Sequence, residues 1–404
     1  MIKAKPTNKQ LEYLDWEIGV FFHFGIRTFY QNNEDWDEKP MDASVFNPSR
    51  LDCRQWIRII KEAGAKYSVL TCKHHDGFAN WPSKYTEYSV KNTPWKNGQG
   101  DVVKEYVDAC REFGIKVGLY YSPAQFGSRK MQGREYDDYF INQISELLTG
   151  YGKIDYLWFD GNGSENHEYD WKRIVGVIRE LQPEIMIFSM WDPDTRWVGN
   201  EAGIAPFEIY NTITPDSHWQ EATWIVEDRF LPYECDCRIR RKSWFYKEAD
   251  EIYLRDEEDL LSLYEYSVGR GGNLLLNIAP DTEGLLPEKD SCNFISFGKK
   301  LKERFQNAID CKITAEGDEF FIETDKENKV NCIVLEEDLT NGESVTQFEI
   351  MQATPAYVSI YTGKNIGHKR ICTFPKTFGD RFKIKISGHN GDFKMKSIKL
   401  FNIV

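Results

Sequence analysis

A chain of 404 residues with a formal charge of −13, a pI near 5.2 and scattered Lys and Arg has no basic footprint, which excludes nucleic acid and anionic lipid as partners. Nine cysteines form no C-x-x-C pair, and Cys235-Asp236-Cys237 is too closely spaced for a zinc knuckle, so they read as reduced core thiols. Met1 to Pro6 is followed by no apolar leader run, and no later stretch approaches the about 18 apolar residues of a membrane span. The expectation is therefore a soluble protein, cytoplasmic as a first guess, with export after removal of a leader as the alternative.

The length exceeds one ordinary core, but a (β/α)8 barrel of roughly 250 residues or a little more plus one small module accommodates it. Apolar strand-like runs alternate with helix-like ones through the first part of the chain. Strand Ile18 to Phe24 precedes helix Asp52 to Ala63, Tyr67 to Cys72 precedes Asp101 to Phe113, and Ile115 to Tyr121 precedes a helix around Tyr136 to Leu148. Ile154 to Phe159, a helix from Trp171 to Leu181, and Ile185 to Ser189 continue the beat. Less regular strands follow near Phe207 to Tyr210 and Thr223 to Val226, then a helix from Asp259 to Val268 and strand Leu274 to Ile278. Asp101 is placed to cap its helix and Gly114 to end it. About eight such units close most easily into a parallel (β/α)8 TIM-like barrel.

After Phe305 the texture changes to short segments rich in Ile, Val, Phe and Thr. Turns are expected at Glu316-Gly317-Asp318, Asn341-Gly342, Thr362-Gly363, Phe378-Gly379-Asp380 and His389 to Asp392, as in an antiparallel β-sandwich. The division expected is a barrel over residues 1–308 and a β-sandwich over residues 309–404. All 12 Trp lie between Trp16 and Trp244, which assigns ligand-facing work to the barrel and a structural or sugar-recognising role to the tail.

In such a barrel the site is built at the C-terminal ends of the strands. His23 ends the first apolar run, His74-His75-Asp76 the second, Tyr120-Tyr121 the third and Asp160 the fourth. Adjacent histidines on a strand point to opposite faces, so His74 and His75 ligate one metal ion poorly unless the strand has already ended. Hydrogen bonding to ligand hydroxyls, or a structural place in the core, competes with the metal for these rings and for His23.

Trp158 precedes Asp160 by two, which places indole and carboxylate on one side of the barrel mouth. Glu201 follows the fifth run in a loop anchored by Trp191, Arg196 and Trp197. Taken singly, Asp160 could cap the following turn and Glu201 could be a solvated loop acid. As a pair wrapped in Trp and Gly, they have what glycoside hydrolysis needs: an ionised nucleophile and a protonated acid. Retention requires them about 5–5.5 Å apart. Trp56 and Trp171 read as packing, while Trp36, Trp81, Trp95, Trp191, Trp219 and Trp244 are open to either sugar stacking or packing.

These residues carry a resemblance. His23-Phe24-Gly25, the run Lys73 to Phe78 (Lys-His-His-Asp-Gly-Phe) and Trp158-Phe159-Asp160 match motifs of the α-L-fucosidases of glycoside hydrolase family 29, which the chain resembles over nearly its whole length. The resemblance implies Asp160 as nucleophile, fucose contacts at His23, His74, His75 and Trp158, and further members at Trp36, Tyr121, Arg196 and Trp244. It implies a retaining double displacement, with a fucosylated oligosaccharide or glycoconjugate as substrate and no cofactor or metal.

Arg196-Trp197-Val198-Gly199-Asn200-Glu201 is similar to the acid/base motif of a subgroup that prefers α-1,3- and α-1,4-linked fucose on Lewis-type glycans, which makes Glu201 the acid/base and Glu234 and Asp236 its local competitors. Asp101 to Glu105, Cys237 to Arg240 before Trp244-Phe245-Tyr246, and Asn273 to Pro280 also match. Met190 to Asp194 is bulkier than the family's usual Gly-Pro-Asp, and Arg240 to Ser243 replaces a more usual Arg-Pro-Gly turn, both in loops that bear on the leaving group. Two rivals stand beside this reading: a catalytically inactive, fucose- or carbohydrate-binding barrel, and a metal-dependent barrel hydrolase using His23, His74 and His75.

Overall fold

The computed structural model describes residues 4–32, 34–37, 39, 41–125, 131–164, 167–215 and 226–403. Helix α1 (Asn8–Leu14) opens the chain, with a capping box between Thr7 and Gln10. There follow β1 (Ile18–Phe22), α2 (Cys53–Glu62), β2 (Tyr67–Lys73), α3 (Val102–Phe113), β3 (Lys116–Tyr121), α4 (Gly133–Gly150), β4 (Tyr156–Phe159), α5 (Trp171–Leu181), β5 (Met186–Phe188) and β6 (Arg196–Trp197). A short hairpin of β7 (Thr212–Ile213) and β8 (Arg229–Phe230) precedes β9 (Tyr233–Arg238), α6 (Glu257–Ser267), β10 (Asn273–Asn277) and α7 (Glu288–Phe305). Local chemistry sets the helix ends: the Asp101 carboxylate accepts from the Lys104 N–H, and Gly114 ends α3 at φ 67°, a conformation glycine adopts without strain.

Eight parallel strands pair in the order β5-β4-β3-β2-β1-β10-β9-β6, and a bridge between Phe188 and Thr195 brings the two edges together. The barrel is thus nearly closed. Its regularity fails between β5 and β6, which are joined by a short loop with no helix. The expected strand at Phe207 to Tyr210 is irregular chain, and residues 223–225 of the next expected strand lie outside the described residues. The places of strands six and seven are taken by Arg196–Trp197 and Tyr233–Arg238. The former is too short, and the latter too polar (Glu234, Asp236, Arg238), to show an apolar signature.

Alternation along the strands divides the core in two. Val20, Phe22, Leu119, Tyr121, Leu157, Phe159, Leu274 and Leu276 face outward and pack with the helices. Phe21, Tyr67, Val69, Tyr120, Tyr156, Trp158, Met186, Phe188 and Leu275 fill the interior with Tyr13 and Trp16 of α1. The interior leaves no room for a side chain at Gly19, where a Cβ would lie 2.3 Å from the Tyr67 ring. One carboxylate is buried there. Glu234 accepts from the Tyr13 hydroxyl at 2.8 Å, the Tyr67 hydroxyl at 2.6 Å and the Trp158 indole at 2.8 Å.

The tail forms antiparallel strands β11 (Lys312–Glu316), β12 (Glu319–Glu337), β13 (Val345–Ala353), β14 (Tyr357–Gly363), β15 (Arg370–His389) and β16 (Met395–Phe401). The long β12 and β15 pair in segments separated by register shifts, and apolar residues from both segments, such as Ile322 with Ile384 and Ile333 with Leu400, enclose one core. The result is a β-sandwich. The expected turn at Phe378-Gly379-Asp380 is instead part of β15, where Gly379 opposes Asn328 beside such a shift. Cys332, Val334, Ile371 and Phe401 pack into the barrel's outer core, and the Glu343 carboxylate accepts from Asn211 Nδ2 at 3.0 Å and the Thr212 N–H at 2.9 Å.

Glu234→Ala leaves three buried donors without an acceptor, and the expected loss of stability is about 3 kcal/mol or more. Glu234→Gln, which keeps one carbonyl oxygen, should lose less. Chemical denaturation of the three proteins checks the order.

Candidate active site

A cavity of about 780 Å³ opens at the C-terminal ends of the strands. Its lining includes His23, Trp36, His74, His75, Trp158, Asp160, Glu201 and Trp244, so eight of the ten residues singled out in the sequence come together. Trp36 stands 49% exposed at the rim, its ring 6.5 Å from that of His75. Tyr121 and Arg196 do not line it. Both lie one position out of phase: Tyr120 and Trp197 face in, so their strand neighbours face out. The Tyr121 hydroxyl donates to Gln143 of α4 at 2.7 Å, with its ring stacked on Phe140. Arg196 lies over the Tyr233 ring and donates to the Tyr210 carbonyl at 2.7 Å; burial lowers its guanidinium to about 10.

The two adjacent histidines share the cavity because β2 has ended. His74-His75-Asp76-Gly77 is a turn in which the Gly77 N–H donates to the His74 carbonyl at 3.0 Å and Gly77 holds φ 84°. The His74 ring stacks on Tyr120, and its Nδ1 is buried with no hydrogen-bond partner. Burial, with the neighbouring His75 and His23, holds it well below the usual imidazole range. His23 bonds Asn277 Oδ1 through Nδ1 at 2.8 Å, and burial lowers it to about 3 against that bond. Both rings are therefore neutral at physiological pH and can donate or accept.

Asp160 directly follows β4. Its Oδ2 accepts from the Tyr120 hydroxyl at 2.9 Å and lies 3.4 Å from His75 Nε2, while Oδ1 accepts from the Asn162 N–H at 2.9 Å. His75 is itself held by a 2.6 Å bond from Nδ1 to Ser122. Burial pushes the carboxyl up, but the His75 charge and the three hydrogen bonds outweigh it, so Asp160 stays below the usual aspartate value.

Glu201 sits beyond β6 on a turn that Gly199 enters at φ 98° and Asn200 ties by bonds to the Ala202 N–H and the Ile204 carbonyl. It is 48% exposed, with Arg238 Nη2 at 3.5 Å from Oε2. Partial burial raises its carboxyl above the usual glutamate value against Arg238, and the charge of Asp160 adds to the rise. The two acids are thus driven apart in opposite directions within one cavity, which suits an ionised group facing a protonated one.

Two residues bearing on these acids, Tyr120 and Asp35, escaped the sequence reading as site members, and a third, Asp236, entered it only as a competitor of Glu201. Tyr120 bonds Asp160, and Asp236, 4% exposed, accepts from Trp197 Nε1 at 2.7 Å; burial holds Asp236 well above the usual range. Asp35 accepts from the backbone N–H groups of Trp244 and Phe245, joining the loop that carries Trp36 to the one that carries Trp244. Parity could have pointed to Tyr120; nothing local marks Asp35. Of the ambiguous indoles, Trp81 and Trp95 are buried packing, and Trp219 lies outside the described residues. Among the described residues, no group of three or more His, Cys, Asp or Glu side chains is arranged to hold a metal ion.

Residues 3–304 match the family described as Alpha-L-fucosidase. The chain belongs to the α-L-fucosidase family. It is 37% identical to Alpha-L-fucosidase 1 of Arabidopsis thaliana over 318 residues, an alignment that covers 75% of this chain and 62% of that protein, so the chain spans less than two thirds of that relative. A solved glycoside hydrolase 29 family member from an unknown rumen bacterium superposes with a TM-score of 0.93 at 33% identity, covering 100% of this chain and 78% of that one. A Bacteroides thetaiotaomicron structure classed with the α-L-fucosidases gives 0.92 at 31% identity over 99% and 98% of the two chains.

Replacing His75 by Ala removes the group that most opposes the burial of Asp160. The Asp160 carboxyl should then titrate at higher pH than in the parent protein, as followed by ¹³C carboxyl NMR of the free protein.

Proposed function

We propose that the chain hydrolyses terminal α-L-fucosides with retention of anomeric configuration. Asp160 attacks the anomeric carbon, Glu201 protonates the departing oxygen, and the resulting carboxylate of Glu201 then takes a proton from the water that releases fucose. The observation that supports this reading best is the opposed tuning of the two acids in one cavity: Asp160 held down by His75, Tyr120 and the Asn162 N–H, and Glu201 raised by partial burial. Asp236 is the weaker competitor for the acid role, because one of its oxygens is taken by Trp197 and it is almost fully buried.

The neutral rings of His23 and His74 and the His75 ring are assigned to the sugar hydroxyls, with Trp36, Trp158 and Trp244 as the apolar walls. The unpartnered Nδ1 of His74 fits this assignment, since a buried polar atom without a partner costs free energy that a ligand hydroxyl would recover. Tyr121 and Arg196 drop out of the substrate contacts and support the wall from behind. Preference for α-1,3- and α-1,4-linked fucose on Lewis-type glycans rests on the Arg-Trp-x-Gly-Asn-Glu motif from Arg196 to Glu201. The reaction so assigned uses no cofactor.

Asp160→Ala is expected to lower turnover by at least about a thousandfold, and azide should restore it with a fucosyl azide of inverted configuration as product. Undiminished hydrolysis by that variant would remove Asp160 from the role. The dependence of kcat/KM on pH should be bell-shaped. The acid limb lies below an ordinary aspartate because Asp160 must be ionised and is lowered. The alkaline limb lies above an ordinary glutamate because Glu201 must be protonated and is raised. Glu201→Gln should abolish the alkaline limb when an aryl fucoside with a good leaving group is the substrate.

A further inference from the structure

Glu201 is delivered by a turn beyond β6, whereas Asp160 directly follows a barrel strand and has donors on both oxygens. The bonds of Asn200 tie the backbone of that turn and leave the Glu201 side chain 48% exposed. An acid/base needs a fixed place, since a misplacement of about 1 Å can cost about a hundredfold in rate.

Strand β9 offers one. Glu234, Asp236 and Arg238 alternate along it toward the interior, with Glu234 inside the barrel and Asp236 and Arg238 in the lining of the cavity. The Arg238 guanidinium lies over the Trp244 ring at 4.9 Å, its Nη1 donates to the Lys242 carbonyl at 3.2 Å, and its Nη2 stands 3.5 Å from Glu201 Oε2. A planar guanidinium stacked on an indole is pre-organised and loses little freedom on meeting a carboxylate. Around Glu201, burial and the charges of Asp160 and Asp35 oppose ionisation, and Asp236 is a further carboxyl in the same lining. Arg238 and the Trp244 indole favour it.

We propose that Arg238 is the positioning residue of Glu201, fixing its carboxylate against the barrel wall for the second displacement. On the acid/base reading proposed above, on which this assignment rests, a water oxygen then bonds to the anomeric carbon. Its proton passes to the Glu201 carboxylate, and the bond to Asp160 breaks to leave that group ionised. A cation beside Glu201 favours the form that takes the proton.

Arg238→Met removes the charge at similar length, and Arg238→Lys keeps it. With an aryl fucoside of good leaving group, kcat of the methionine variant should fall about fivefold. The alkaline limb of kcat/KM should move to higher pH, because Glu201 loses the cation that opposes its burial. Lysine should keep the limb near the parent's. Azide, which attacks without a base, should restore turnover of the methionine variant, with fucosyl azide of retained configuration as product. An unmoved limb, an undiminished kcat, or a loss that azide leaves uncorrected overturns the assignment. If the parent protein frees no fucose, or the alkaline limb survives in Glu201→Gln, the acid/base reading fails by itself. The place of Arg238 is then decided by ¹³C carboxyl NMR, and a Glu201 titration identical in parent and methionine variant overturns it.

Discussion

Inside the barrel, where water does not reach, the Glu234 carboxylate gathers hydroxyls from α1 and β2 and an indole from β4. A buried acid with donors from three separate elements tolerates little movement of any of them, since a lost bond leaves an unpaired polar group in a low-dielectric interior. Trp158 is the member that matters most for the site. Bonded to Glu234 through Nε1, it is stacked on Phe188 at 4.2 Å and on Tyr120 at 5.4 Å. Tyr120 in turn bonds Asp160, and Asp160 lies two residues beyond Trp158 on the same face. The interior carboxylate and the one at the mouth are therefore linked through one aromatic layer.

The mouth shows how like groups are given unlike properties. Asp160, Glu201 and Asp236 are all carboxyl groups lining one cavity. Asp160 keeps its charge because donors converge on both oxygens. Glu201 has the Arg238 guanidinium at 3.5 Å from one oxygen, with partial burial and the like charge of Asp160 against it, and Asp236 has a single indole donor in near-complete burial. Desolvation acts on all three, and the His75 charge, with the hydrogen bonds from His75, the Asn162 N–H and Tyr120, keeps Asp160 the ionised one. The histidines obey the same balance from the other side, with burial keeping His23 and His74 neutral.

The sandwich contributes no lining residue to this cavity. It packs Ile371 and Phe401 into the barrel's outer core and engages residues 211–212 through Glu343, on the chain between β6 and β9 where the described residues show no helix. That chain would otherwise leave backbone donors such as the Thr212 N–H without a partner. A barrel short of helices at this point gains its cover from the β-rich tail.

Much of this was legible in the order of residues. Periodicity located β1 to β5, β10 and their helices, because long apolar runs with caps such as Asp101 and Gly114 are set by local chemistry. The motifs around His23, Lys73 to Phe78, Trp158 to Asp160 and Arg196 to Glu201 supplied six of the eight named residues that meet in one cavity, with Trp36 and Trp244 outside them. Strands β6 and β9 were not legible: two residues carry no period, and the charges of Glu234 and Asp236 read as solvent-facing until the barrel closes around them. The parity of Tyr121 and Arg196 was lost for the same reason, since a run buried on both faces does not say which face is the interior. The sequence by itself determined the strand-ending carboxylates, the rings around them and the family they belong to, because these are fixed by residue type and spacing. Only the tertiary structure decided which rings face the cavity, which acids keep their protons and what holds Trp158 in place, because each depends on burial and on partners far apart in the chain.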